Sequence, residues 1–223
     1  MSVSIKNFKN LLVKQINYFN YENVDIVFDE SVFDEALSRM RICISHIKSK
    51  YINAEALKSD LGFDPYNSVQ CGIFLYYLAN SYYNHFGANK ISESLYLLNK
   101  ALYSFELYYN RRLPEFWYMD HPLGSIIGNA TYSNGVFIQQ GVTIGANKGV
   151  VRPTFSGYVM LFTHAVVVGD CKIGKNVIIS AKTYIKETDI PNNCIVFGQS
   201  PNLIIKPKSE EYMRNFFSQF FCE

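Results

Sequence analysis

Apolar residues in the first half of the chain recur every third or fourth position, the spacing that lays them along one side of an α-helix. Ile5, Phe8, Leu12, Ile16 and Phe19 form one stripe, and Phe33, Leu37, Met40, Ile44 and Ile47 form a second. Ser31, with Asp34 three residues on, offers the second helix a hydroxyl cap for its open N–H groups. A short helix is expected over residues 53–61, stopped at Gly62. Asp64-Pro65 opens an aromatic-rich helical run to Phe86, and Gly87 stands where glycine favours a helix end. A last helix is expected over 91–109, before Pro114.

Beyond Pro114 the period changes. Every sixth residue from Phe155 is large and apolar: Phe155, Leu161, Val167, Ile173, Ile179 and Ile185. Two positions before each stand Pro153, Val159, Ala165, Cys171, Val177 and Thr183, which are mostly small. Neither a period of 3.6 nor a short run of period two accommodates this. A solenoid does, with one residue per flat face pointing inward and stacking on its equivalent in the coil below. The same ladder runs upstream through Ile126, Tyr132, Ile138 and Ile144, with Gly124, Ala130, Val136 and Val142 as the small set. Ile144 and Phe155 stand eleven positions apart where two periods need twelve, so an excursion leaves the solenoid between Gly145 and Arg152. The solenoid is expected to finish near 188–190. Pro191, Pro201 and Pro207 then mark an extended exit, and 209–220 a short amphipathic helix. The expected organisation is therefore a helical domain over 1–111, a solenoid over 112–207 and a tail over 208–223.

Bulk properties narrow the function. The 223 residues suffice for one or two domains, and 48% apolar with 18% charged residues is ordinary for a soluble protein. A net charge of +2 gives no reason to expect nucleic acid or an anionic membrane surface. No apolar run is long enough for a membrane span, and the polar, lysine-rich start of the chain does not read as a signal peptide. Cys43, Cys71, Cys171, Cys194 and Cys222 are odd in number, scattered and without a CxxC pair, as expected of reduced thiols in a cytoplasmic protein. No His, Cys or carboxylate set has metal-ligand spacing, so no metal is expected, and no glycine-rich nucleotide motif is present.

The interior of such a solenoid is packed aliphatic, so chemistry belongs at its edges, in the excursion or between subunits. His121 stands out among the four histidines. It is flanked by Asp120 and Pro122 directly before the first regular coils, with Gly124 and Gly128 close by. A neutral imidazole held by a carboxylate can take a proton from a substrate hydroxyl. His46 and His85 lie in helical stretches and read as structural or exposed, and His164 reads as a surface residue at a solenoid corner.

Three features then form a resemblance. They are Met119-Asp120-His121 followed by Gly124 and Gly128, the run Gln140-Gly141-Val142-Thr143-Ile144-Gly145, and the closing Ile190-Pro191 with Gly198-Gln199-Ser200-Pro201. With the paired ladder they resemble the hexapeptide-repeat acyltransferases, and over residues 64–207 the layout resembles serine acetyltransferase. The resemblance implies an α + β protein: an N-terminal all-helical domain followed by a left-handed parallel β-helix. It implies that His121 is the general base for an acceptor hydroxyl that attacks the thioester of acetyl-CoA directly. Asp120 matches the carboxylate beside that base. Glu106, fifteen residues earlier, matches a second carboxylate that orients it. Thr163, Ser180 and Ala181 match residues that line the coenzyme groove between neighbouring solenoids of a homotrimer, or of a dimer of trimers. A narrow solenoid also exposes flat faces that invite lateral burial under closed symmetry.

Two departures bear on the acceptor. Where the family has Arg-His-Pro in the excursion, this chain has Val151-Arg152-Pro153, which lacks the histidine and leaves Arg152 to meet the acceptor. A second substrate-binding carboxylate of the family falls on Asp64 only across a nine-residue deletion. A site that reads a buried carboxylate loses strongly when its partner is absent. These departures disfavour serine, and the resemblance to relatives of this family in surface-polysaccharide pathways implies instead a sugar hydroxyl of such a polysaccharide or its precursor as acceptor. L-serine, in cysteine biosynthesis, is the alternative enzyme reading, and a non-catalytic scaffold the alternative of another class.

Overall fold

A computed structural model of the chain describes residues 3–20, 26–48, 52–147, 149 and 151–222. The chain divides into two compact units. The first comprises Met1–Ser45, Ser49–Tyr103 and Leu107–Asn110, and is helical.

Helix α1 (Ile5–Phe19) begins at Ser4, whose Oγ accepts from Asn7 N, and it buries Phe8, Leu12 and Ile16. Helix α2 (Glu30–Ser45) buries Phe33, Leu37, Met40 and Ile44, but its cap is not Ser31. Asp29 Oδ1 accepts from Ser31 N at 2.9 Å and Val32 N at 3.1 Å, and the Ser31 hydroxyl itself donates to Asp29. A carboxylate two residues earlier satisfies the open N–H groups better than a hydroxyl. Ile47, the last member of the expected stripe, lies beyond the helix and belongs to the second unit. Helix α3 (Ala54–Leu57) is shorter than expected, because the chain turns from Lys58 to Gly62, which takes a left-handed φ of 73°.

Helix α4 (Ser68–Phe86) is the centre of this unit, buried on every side from Gln70 to Tyr82. Asn67 caps it, and the Phe74 ring meets Phe63 at 5.1 Å, Phe33 at 5.4 Å and Phe8 at 5.6 Å. Its buried polar groups are paired: Asn80 Nδ2 donates to Tyr109 O, and Asn99 Nδ2 of α5 (Lys90–Tyr103) donates to Gly72 O. Helix α5 stops six residues short of its expected end. Ser104 turns left-handed at φ 56°, and Phe105 and Leu107 are buried while Glu106 between them is half-buried. That alternation is extended chain, not helix.

The second unit, which takes in His46–Lys48, Ser104–Glu106 and Arg111–Glu223, contains a parallel β-helix. One face stacks β1 (Trp117–Met119), β3 (Val136–Ile138), β6 (Val159–Leu161), β9 (Val177–Ile179) and β11 (Cys194–Gln199). Another stacks β2 (Ile126–Ile127), β4 (Thr143–Gly145), β7 (Val166–Val168) and β10 (Tyr184–Lys186). The third pairs β5 (Thr154–Phe155) with β8 (Lys172–Ile173). The six-residue ladder is its core: Ile138, Leu161, Ile179 and Val196 form one buried column, and Ile144, Val167 and Ile185 another. Tyr132 lies flat on Phe155, ring centres 5.4 Å apart and planes within 1°. Val159 pairs with Val177, a spacing of eighteen, whereas Val136 pairs with Val159, a spacing of twenty-three. The excursion after Gly145 therefore adds five residues to one coil.

Two expectations for this unit need correction. Ile126 is 43% exposed, and the inward residue of its coil is Ile127, paired with Ile144 seventeen residues on. That coil is one residue short, so the ladder slips by one before Tyr132, and Ser125 replaces Gly124 as the small inward residue. The solenoid also runs past Ile190. Strand β11 pairs in parallel with β9 and β10, and β12 (Asn202–Pro207) folds back on it as a hairpin in place of an extended exit. Helix α6 (Glu210–Phe217) follows inside the expected 209–220 stretch, capped by Ser209, with Met213 and Phe217 buried. An N-terminal helical part followed by a parallel β-helix is thus the architecture. Among the described residues no helix is long and apolar enough to cross a membrane.

Candidate active site

Strand β1 delivers Asp120, whose N–H donates to Ile138 O at 2.9 Å, and the chain then leaves the rung. His121 takes a left-handed φ of 49°. Histidine reaches this region more readily than most residues, and strain of this kind gathers at functional sites. The loop is pinned by Leu123 N to His121 O at 2.7 Å, Gly124 N to Ser104 O at 2.7 Å and Ser125 N to Pro122 O at 3.1 Å. The outcome is an imidazole presented to solvent, 80% exposed, with its Nε2 at 3.5 Å from the Asp120 carboxylate.

Backbone hydrogen bonds tie this loop to one corner of the β-helix. Gly141 N donates to Leu123 O, His164 N to Gln140 O and Lys182 N to Thr163 O, each stepping up one coil. Gly141, His164 and Lys182 all take left-handed φ values, between 59° and 66°, so the corner is one regular column. Thr163 and Ala181 occupy equivalent positions on successive coils of that corner, and Ser180 precedes Ala181. The structure therefore brings His121, Asp120, Thr163, Ser180 and Ala181 to a single corner.

Glu106 reaches the adjoining edge. Its N–H donates to Ser125 O and its carbonyl accepts from Ile127 N, both at 2.8 Å, which lays it beside the strand that follows the His121 loop. Arg152 is elsewhere, exposed at the end of the excursion between β4 and β5, which is the next corner. Asp64 belongs to the helical unit. There its Oδ1 accepts from Tyr66 N at 2.9 Å and its N–H donates to Gln70, so it shapes the start of α4.

Sequence reasoning missed two residues of this corner. Gln139 Oε1 accepts from both the N–H and the hydroxyl of Thr163, at 3.3 and 3.2 Å, which fixes the Thr163 side chain. Ser125, 1% exposed, donates to Gln139 O and accepts from Val142 N. Neither carries a local sequence signal, because each acts through hydrogen bonds between coils and the six-residue ladder places Gly124, not Ser125, at the inward position. Two thiols of the β-helix are buried in its core, where burial raises the pKa of Cys171 and pushes Cys194 up to about 11, which keeps both protonated and unreactive. Among the described residues no group of three or more His, Cys, Asp or Glu side chains could hold a metal ion.

No family model matches the chain. Individual proteins do. The serine acetyltransferase of Synechococcus elongatus is 33% identical over 105 residues, 45% of this chain and 43% of that protein, so the matched stretch spans less than half of that relative. The serine acetyltransferase of Staphylococcus aureus is 27% identical over 177 residues, 76% of this chain and 79% of that protein. Among solved structures, serine acetyltransferase from Brucella abortus is similar with a TM-score of 0.64 at 18% identity, covering 89% of this chain and 82% of that one. The same enzyme in complex with coenzyme A gives 0.65 over 90% of this chain. Sequence and fold together support an acyltransferase enzyme of the β-helical class. Within that class the chain resembles serine acetyltransferase.

Proposed function

We propose that this protein is an acetyl-CoA-dependent O-acetyltransferase in which His121 is the general base. One observation carries the reading: an exposed imidazole, paired with Asp120, stands on the loop that Leu123 ties to the Thr163–Ala181 corner. Thr163, Ser180 and Ala181 would hold the coenzyme along that corner. The acceptor hydroxyl donates to the imidazole, and its proton passes to His121 as the oxygen bonds to the thioester carbonyl carbon. Collapse of the tetrahedral intermediate breaks the C–S bond, and the proton leaves with the thiol. Asp120, and Glu106 from the adjoining edge, stabilise the imidazolium that forms between these steps. A homotrimer fits this reading, because it would set one coenzyme corner against a neighbouring solenoid.

L-serine is the acceptor that the relatives' activity favours. A sugar hydroxyl is the second reading, favoured by Val151-Arg152-Pro153, which offers an arginine and no imidazole to an amino-acid substrate. The test is thiol release from acetyl-CoA with L-serine, nucleotide-linked sugars or polysaccharide fragments as acceptors. Release with serine establishes the first reading, and release with a sugar alone the second. No release with any acceptor, and no acetyl-CoA binding by calorimetry, would leave a scaffold.

A further inference from the structure

A second corner of the β-helix carries a cavity that acyl transfer does not use. Gly135, Tyr158, Asn176 and Asn193 form its left-handed column, at φ 83°, 49°, 55° and 53°. Tyr158 folds down over Gly135, where a Cβ would stand 2.7 Å from the Tyr158 ring. One coil up, Asn176 is drawn the other way by its hydrogen bond to Asn193 at 2.9 Å. The column therefore opens between Tyr158 and Asn176.

Helix α6 crosses this gap without filling it. Phe217 and Phe221 are buried and meet the Tyr158 ring at 5.8 Å each, and the segment is locked beyond the helix by Cys222 N to His46 O and Lys48 N to Phe220 O. A cavity of about 300 Å³ remains, floored by Tyr158, Phe217 and Phe221 and rimmed by Lys175, Arg214 and Glu210. That volume lies at the lower end for small-molecule sites. Arg214 pairs with Glu210 at 3.2 Å, whereas Lys175 has no carboxylate within ion-pair range among the described residues. An aromatic floor below two cations and one carboxylate is complementary to a flat apolar body with a single negative head.

We propose that this cavity binds a small aromatic carboxylate, its ring on Tyr158 and Phe217 and its head between Lys175 and Arg214. Such a ligand bridges α6 and the β-helix, so binding holds the helix down. Phenylacetate serves as the probe, with phenylacetamide as its uncharged isostere and acetate as the head alone. Phenylacetate is expected to bind by calorimetry and to slow amide exchange across α6, while the other two do neither. Lys175→Gln and Arg214→Gln are each expected to weaken binding about tenfold, and Glu210→Gln to strengthen it. All three side chains are exposed, so the variants keep the fold, checked by circular dichroism. Equal binding of the acid and the amide, binding unaffected by Lys175→Gln and Arg214→Gln, or no phenylacetate binding at millimolar concentration would overturn the proposal. None of these outcomes bears on acetyl transfer, which is read separately.

Discussion

The ring of His164 occupies the space in which a side chain on Gly141 would begin: a Cβ on Gly141 would lie 2.1 Å from His164 Nδ1. The two residues are successive steps of the corner that carries Thr163 and Ala181. Gly141→Ala must therefore do two things. It places a side chain at a φ of 66°, a cost of ~1–2 kcal/mol for an L-residue, and it swings the exposed His164 ring outward into the proposed coenzyme groove. Urea unfolding should show that loss in Gly141→Ala, together with a raised KM for acetyl-CoA. Adding His164→Ala should restore KM but not stability. If KM stays at the wild-type value in the single variant, the corner does not hold the coenzyme.

Gly128 and Gly145 separate packing from conformation. A Cβ on Gly128 would lie 2.2 Å from the Ile144 carbonyl oxygen, the same atom that accepts the Gly128 N–H at 2.9 Å. That atom is backbone inside the Ile127–Ile144 pairing, so it cannot turn aside. Gly145 has nothing within 4 Å of its Cβ position. Gly128→Ala is expected to destabilise by about 1–3 kcal/mol or more, and Gly145→Ala by within about 0.5 kcal/mol. Equal unfolding midpoints for the two variants would refute the steric argument.

These glycines also mark how far the sequence could be read. The ladder from Tyr132 to Ile185 was legible because every coil there repeats in sixes, apart from the excursion, whose broken phase was visible. Ile126 was misplaced because its coil is one residue short, and a period of six gives no warning of a slip at the end of a run. Glu106 falls inside the helix expected over 91–109, and nothing in Ser104 announces the left-handed turn that ends that helix early. The His121 loop was found through its chemistry. Gln139 and Ser125 were not, because their roles are hydrogen bonds across coils, which no local pattern encodes.

In the helical unit, Glu35 on α2 accepts from Ser81 Oγ at 2.7 Å and stands 2.6 Å from His85 Nε2, both on α4. Burial alone would raise its pKa. The hydrogen bonds from His85 and Ser81, with the charges of His85 and Arg39, outweigh that and hold the carboxyl below the usual glutamate range. A carboxyl depressed on folding adds stability above its unfolded pKa, about 4.3, and loses it as pH falls through the folded value. Wild type should therefore lose more stability between pH 6 and pH 3 than Glu35→Gln does, measured by urea unfolding at each pH. Parallel curves would mean the pairing contributes nothing to folding.

His121 offers a variant in which stability and activity should part company. Its side chain is 80% exposed and its backbone sits at φ 49°, a conformation that strains any residue with a Cβ. Replacing it by glycine removes little packing and relieves that strain, partly offset by the greater freedom of glycine in the unfolded chain. His121→Gly is thus expected to unfold at a urea concentration equal to or above that of wild type, a gain of at most ~1 kcal/mol. The same change removes the proposed base, so turnover should fall by a factor on the order of 10²–10⁴, with the KM for acetyl-CoA little changed because the coenzyme corner is intact. Loss of activity with a lowered unfolding midpoint would reveal a structural role for the imidazole. Full activity in a stable His121→Gly would remove His121 from the chemistry altogether.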